Sequence, residues 1–508
     1  MQWMIEKKDR QKVALLEYLM QRPELRLSIK MVQEAFDWSK YIALTTIRDL
    51  VADLSTFYPD LEPFVTLSDD EKTLVLNRER NYDATMFRLN YLRESIPWLL
   101  MKELFDETMH SYDDFAVRNL TTVSKTRNAK LELDDYFAGH GVVITPDYTL
   151  AGNESEVRSM YFRIFQLYFA DRAFPFENSD EQLINRILDE VTHYIKPDDE
   201  RLRETKRIAI RFTIAIWLGR LQHGHVISND DVDAFLLPND QLNERTRQLT
   251  AYVEQLVMQL FPTLTAEDAH REGRYVVMGF FSIGVGVEMN RRENMTPLFM
   301  NMLAAFIQIV DTHYNKLFNA HLTVLEQDAF FEVFFELMVA AVTSPTPDEG
   351  RNRVRLDAAY EQFPLMAELA LAVIDDVAER RHLDITLARG AFFEVLYTGF
   401  ASIFDMHQVF PKIKVALDIN YQIGLESILT DMILGMRAMN IEISEYIDDD
   451  TDILISDINN SNIPAENTFI WTSMPTSLEF EQLRRRMNIV KADKFEKIHG
   501  IKLRYEAR

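Results

Sequence analysis

Twice in the first 158 residues the chain passes through the same order of segments: a short helix, a polar turn, an amphipathic helix and two β-type runs about a second turn. In the first copy EKKDRQKVALLEYLMQ and SIKMVQEAF read as helices, Asp37 to Ser39 as a turn, and KYIALTTIRDLVADL as a third helix. Ala43, Leu44, Ile47, Leu50, Val51 and Leu54 fall on one face of that third helix at a 3.6-residue period. FVTLSDDEKTLVLNR then reads as a hairpin turning at SDDEK. Three helices and a hairpin predict a winged helix-turn-helix. In the second copy a linking helix, ATMFRLNYLRESIPWLLMKELF, leads to a short helix near Tyr112 to Asn119, the turn LTTVS and a helix from about Ser124 to Ala138. Gly139 and Gly141 are expected to stop that helix by taking left-handed backbone, and VVITPDYTLAG alternates like a second wing.

A chain of 508 residues exceeds what one hydrophobic core organises, so several domains are expected. From about Ser155 to Val409 amphipathic helical stretches follow one another, broken at 284–297, where we expect a domain boundary, and at 343–353, which reads as a loop. At Lys412 the texture changes. KIKVALDIN, IEISEYI, TDILISDI and NTFIWTS are strand candidates, and GLESILTDMILGMRAM and SLEFEQLRRRM are helices, a pattern that predicts a small α/β domain with a largely parallel sheet. The expected organisation is therefore multidomain and mainly α: winged units at 1–80 and 81–158, helical domains at 159–290 and 291–410, an α/β domain at 411–490 and a basic tail at 491–508.

Composition narrows the function. An apolar content of 47% with 27% charged residues describes a folded chain, and no run of about 18 apolar residues marks a membrane span. MQWMIEKKDRQK has charges where a signal peptide needs its apolar stretch, so a cytoplasmic protein without a membrane partner is expected. With no cysteine there is no disulfide, thiol nucleophile or thiolate zinc site. The net charge of -25 argues against a surface that coats nucleic acid, so any DNA contact must be local. Residues 441–483, with ten acids and no Lys or Arg, are not that contact.

SKTRNAKLELDDYFAGHG (124–141) is the local exception. Thr126, Ala129, Leu133, Tyr136 and Phe137 gather on one side of the helix, leaving Ser124, Arg127 and Asn128 opposite, flanked by Lys125 and Lys130. A recognition helix reads base edges with its N-terminal residues. Arg127 can take guanine and Asn128 adenine bidentately, with Lys125 and Lys130 on phosphates. A solvated face carries the same residue types, but the helix and turn before it and the hairpin after it favour a DNA reader. In the first copy the outward face is read as Tyr41, Thr45, Thr46 and Arg48 beside Asp49, either touching bases or positioning the chain. His223 and His225 form a His-x-His pair that would splay apart on a helix, and with no third ligand in view no metal is expected. His313, His321, His382 and His407 are scattered. GVG at 284–286 lacks the third glycine and preceding strand of a dinucleotide site, and no catalytic constellation occurs, so neither a cofactor nor an enzyme activity is expected.

The order of these parts resembles the Mga-like (Mga/AtxA) transcriptional regulators of Gram-positive bacteria over essentially the whole chain. VSKTRNAKLELDDYF is similar to that family's second recognition helix, YTLAGNESEVR to the wing exit of regulators bearing phosphotransferase-regulation domains, and TIAIWLGRLQHGHVI, through Arg220, Gly224 and Ile227, to the start of such a domain. The resemblance implies a DNA-binding regulator, usually an activator, that binds double-stranded DNA. It also implies two helical regulation domains (159–290 and 291–410), a homodimer formed through a C-terminal domain resembling the enzyme II B component, and phosphocarrier proteins of the sugar phosphotransferase system as partners. Candidate phosphorylation sites are then His223 and His225 in the first regulation-like domain and His313, His321 and His407 in the second. Two positions depart from the pattern: Thr213 stands where the motif begins with the phosphorylated histidine, and LDINYQIGLE has no cysteine after the first strand of the α/β domain. The rival expectations are a histidine phosphocarrier, which needs a phosphoryl acceptor in the α/β domain, and an RNA-binding antiterminator, which begins with a β-rich domain rather than helix-turn-helix units.

Overall fold

The computed structural model describes residues 2–20, 25–59, 63–77, 84–169, 174–176, 179–196, 202–228, 231–285, 289–343, 359–360, 362–381, 389–405, 410–419, 424–436, 439–458 and 463–500. The fold is mainly helical, with a small sheet near the C-terminus. Among the described residues no helix is long and apolar enough to cross a membrane. The chain divides into two compact units, residues 1–296 with 339–346, and 297–338 with 347–508.

The first unit opens with α1 (Lys7–Met20), β1 (Arg26–Ser28), α2 (Ile29–Phe36) and α3 (Lys40–Phe57), followed by β2 (Val65–Leu67) and β3 (Thr73–Leu76). The hydroxyls of Ser28 and Ser39 accept from the amides of Met31 and Ile42, capping α2 and α3, and Asp37 ends α2 in left-handed backbone at φ 53°. The three strands form an antiparallel sheet in the order β1-β3-β2, with Leu27 opposite Leu74 and Thr66 opposite Val75. The hairpin stands where the alternation put it, and β1 adds a third strand. In α3 the buried stripe is Ala43, Thr46, Ile47, Leu50 and Leu54, while Leu44 and Val51 are only half-buried. A polar seam joins α1, α3 and α4 (Ala84–Glu94): Lys12 pairs with Asp9 at 2.8 Å and with Asp53, and the Tyr91 hydroxyl donates to Asp53.

Next come α5 (Ile96–Phe105), α6 (Tyr112–Arg118), α7 (Val123–Gly139) and a two-stranded antiparallel pair, β4 (Val143–Ile144) and β5 (Leu150–Ala151). Gly139 stays helical as the last residue of α7, contrary to the expected double stop; the left-handed residue is Gly141, at φ 66°. Gly152 closes the hairpin, where an added Cβ would lie 2.8 Å from the carbonyl oxygen of Gly141. The helices α8 (Glu154–Phe169), α9 (Glu181–Ile195), α10 (Glu204–Gln222), α11 (Glu244–Leu260) and α12 (Ala266–Phe280) complete the unit.

The second unit holds α13 (Pro297–Phe318), α14 (Val324–Thr343) as far as Met338, α15 (Pro364–Arg381) and α16 (Arg389–Ile403), whose core is rich in phenylalanine: Phe299, Phe306, Phe330, Phe335, Phe393 and Phe400 are buried. Then follow β6 (Ile413–Asp418), α17 (Leu425–Leu434), β7 (Ile441–Ser444), β8 (Ile453–Ser456), β9 (Thr468–Ile470) and α18 (Ser477–His499). The strands are all parallel in the order β7-β6-β8-β9. Ile413, Val415, Leu417, Ile453 and Ile455 pack with Leu429 and Ile433 of α17 and Leu483, Met487 and Val490 of α18.

Helix α18 runs further than the sequence led us to expect, so residues 491–499 are its last turns rather than the start of a tail. Lys491 is fully buried there, its ammonium 4.4 Å from the ring centre of Phe410. Burial first, and then the like charge of Arg484, push its pKa down from 10.5 to about 7. The unfolded chain keeps this proton up to about pH 10.5 while the folded chain releases it near 7, so folding becomes more favourable as pH rises through that window. The gradient has a ceiling of about 1.4 kcal/mol per pH unit for one proton. Lys491→Met is expected to stabilise the protein at neutral pH and flatten this dependence, as read by chemical denaturation at a series of pH values.

Candidate nucleic-acid interface

Helix α7 is set by the short helix before it. Ser111 caps α6 by accepting from the Asp114 amide (3.1 Å), and Arg118 is held by Asp114 and Glu103, each at 2.8 Å. The chain then turns through Leu120, left-handed at φ 49°, and Thr122 caps α7 by accepting from the Lys125 amide. Thr126, Ala129, Leu133 and Phe137 form the buried stripe of α7, which packs against α5 and α6. Ser124, Lys125, Arg127 and Asn128 are exposed on its other side, as the helical wheel predicts.

These outward residues are not equivalent. Lys130 is half-buried and turned back along the helix, its ammonium 2.6 and 2.8 Å from the two carboxylate oxygens of Asp134. Lys125 faces Glu6 at 3.5 Å. Arg127 has no carboxylate partner among the described residues; its guanidinium lies over the ring of Tyr112, 5.8 Å from the centre, and that ring meets Tyr148 of the hairpin edge-on. Ser124 and Asn128 make no side-chain hydrogen bond among the described residues. Sequence reasoning missed Leu131, which is exposed next to Asn128 on the same helix, and Tyr112, whose place beneath Arg127 depends on the turn between α6 and α7.

The corresponding surface of α3 is weaker. Tyr41 is exposed and Thr45 half-buried, but Thr46 is buried and leaves the outward face assigned to it. The reason is helical geometry: position 46 lies three residues after Ala43 and four before Leu50, inside the core stripe. Arg48 is exposed but paired with Glu71 of the β2–β3 turn.

The histidines fall in three settings. α10 ends at Gln222, and Gly224 turns the chain at φ 80°, so His223 and His225 do not splay as they would on a helix. Both face Glu107: His225 Nε2 is in hydrogen-bond contact, and His223 Nδ1 lies 3.6 Å away. His313 Nε2 meets Asp376 at 2.8 Å, and the exposed His321 meets Asp311 at 2.9 Å. Thr213 sits within α10, its hydroxyl donating to the Ala209 carbonyl. His382 and His407 lie outside the described residues.

Beneath His225 lies a buried ionic network joining α8, α10 and α12. Arg220 donates from Nε (3.0 Å) and Nη2 (2.9 Å) to the two oxygens of Glu154, the bidentate geometry that makes such pairs strong. Arg158 donates to Glu154 at 2.9 Å, to both oxygens of Glu272 at 2.7 and 3.0 Å, and to the carbonyl of His225 at 3.0 Å. Glu272 also accepts from Trp217 Nε1 (3.0 Å) and the Ile227 amide (2.7 Å). Burial works to raise the pKa of Glu154, but Arg158 and Arg220 together hold it below the usual carboxylate range. Arg220 and Ile227, the motif residues, are thus structural: one is a buried cation and the other presents a backbone donor. Glu272→Ala is expected to cost about 3–5 kcal/mol, because it leaves two buried arginines, Arg158 and Arg220, sharing Glu154 as their one hydrogen-bonded carboxylate. Glu272→Gln should not rescue it, since all four groups facing the carboxylate are donors and an amide replaces one acceptor with another donor. Chemical denaturation of both variants checks this.

No protein-family model matches the chain, and no curated protein matches it significantly.

Proposed function

We propose that the chain is a sequence-specific DNA-binding transcription regulator of the Mga-like type. It presents two winged helix-turn-helix units, α2–α3 with the sheet β1–β3 and α6–α7 with β4–β5, to double-stranded DNA. The helical segments 159–290 and 291–410 serve as phosphotransferase-regulation-like domains. The α/β segment 411–490 serves as an enzyme-II-B-like dimerisation domain, in a cytoplasmic homodimer without catalytic activity. The observation that carries this proposal is Arg127, exposed on the first turns of α7 and without a carboxylate partner among the described residues of a chain with net charge -25. Arg127 and Asn128 read bases, Lys125 holds phosphate, and α3 with its Arg48 tied to Glu71 positions the duplex.

Control by phosphocarrier proteins is the finer part of the proposal. His225 and His223 beside Glu107 are the sites it would use, since a phosphoryl group there would repel that carboxylate and loosen the end of α10 from the residues after α5. Thr213 stands in the motif's first place, where the phosphorylated histidine would be, and separately the absence of cysteine leaves the α/β domain without a thiol relay.

The test is a salt-titrated anisotropy measurement on a pool of duplexes randomised at the centre and on the sequences selected from it. Arg127→Ala is expected to weaken binding to selected duplexes by about 1–3 kcal/mol and to relax preference at the position it reads, with mixed-sequence binding changed far less. Unchanged affinity and preference would remove the DNA reading from α7.

A further inference from the structure

Helix α7 is held along its length by the residues that precede α1. Residues 2–4 form a single 3-10 turn beside α5, with Met4 and Ile5 buried. From this anchored turn the Trp3 ring packs on Tyr136, in the last turns of α7, with centres 5.2 Å apart. Tyr136 in turn packs on His140 at 4.7 Å, and His140 Nδ1 meets the buried Glu156 of α8 at 2.7 Å, where Arg163 also donates at 3.0 Å. At the other end Glu6 faces Lys125 in the first turns of α7 at 3.5 Å, both side chains exposed. Two residues of this segment, Trp3 and Glu6, therefore engage α7 at points separated by about three helical turns.

We propose that Trp3–Glu6 is a positioning element for α7, setting the tilt of its outward face through Trp3 and its charge through Glu6. The proposal rests on α7 being the DNA-reading helix. In the free protein Glu6 occupies Lys125. When Lys125 moves to a phosphate, the carboxylate is left facing the duplex and takes up a cation, so the wild type releases about one counterion fewer than its phosphate contacts would allow. Trp3 acts through packing and leaves this count untouched.

Two properties separate these roles from simple structural support. Glu6→Gln is expected to tighten binding to a mixed-sequence duplex about two- to fivefold and to steepen the slope of log affinity against log salt by about one. In a Lys125→Ala background the same substitution should change neither. Trp3→Ala is expected to weaken binding to selected duplexes several-fold at an unchanged salt slope, with Trp3→Phe restoring it. If Glu6→Gln acts equally with and without Lys125, or if Trp3→Ala binds as the wild type does, the positioning role is wrong. Arg127→Ala, measured alongside, separates the two layers: an effect there with silent Trp3 and Glu6 variants overturns only this inference, whereas a silent Arg127→Ala overturns the DNA reading itself.

Discussion

Charge competition governs what this surface can do. Carboxylates outnumber cations, 80 acidic against 55 basic side chains, and among the described residues many cations are taken: Lys12, Arg48, Arg88, Arg118, Lys130, Arg158 and Arg220 all sit in ion pairs. At physiological salt the field of the whole chain is screened within about 8 Å, so a polyanion that reaches the surface responds to the few side chains it meets. Arg127 stands out in that setting because an aromatic ring, and not a carboxylate, supports it. A ring holds the guanidinium in place without neutralising it, which leaves its donors available.

The two N-terminal helix-and-hairpin segments are built differently. The first has the better sheet, three strands against two residue pairs, and a polar seam through Lys12, Asp53 and Tyr91 that fixes α1, α3 and α4 to one another. The outward arginine of its α3, Arg48, is bound by its own hairpin turn. The second has a minimal hairpin, closed by the approach of Gly152 to Gly141, but presents its outward polar residues more openly. The first segment is the more firmly cross-tied and the second the more openly polar on its outward face.

Much of the fold could be read from the sequence because its signals are local. Serine and threonine before α2, α3, α6 and α7 cap those helices, and the apolar periods of α3 and α7 locate most of their buried faces. The runs in the α/β segment become parallel strands because β6 and β8 are buried nearly throughout, which makes continuous apolar runs visible. What could not be read depends on distant partners or on departures from ideal helices. Thr46 joins the core by its place in the stripe although its hydroxyl suggests the surface. His223 and His225 converge only because α10 ends before them and Gly224 turns left-handed. Glu272 looks like an ordinary surface acid in its helix until Arg158, 114 residues away, is placed against it. Trp3 with Tyr136 and Glu6 with Lys125 are of the same kind: neither residue of each pair indicates the other.

That separation of 114 residues also bears on the order in which the first unit is made. Arg158 and Glu154 leave the ribosome well before Glu272, and Arg220 reaches them in between. Until α12 has been synthesised, Arg158 and Arg220 share Glu154 as their hydrogen-bonded carboxylate, one for two cations that are to be buried, so α8 and α10 have reason to stay hydrated and loosely docked. The segment through β5 can acquire its local helices and hairpins early, but the body on which α8 rests closes only after residue 272 has emerged. A chain interrupted before that point would display α7 on a support that has not yet set.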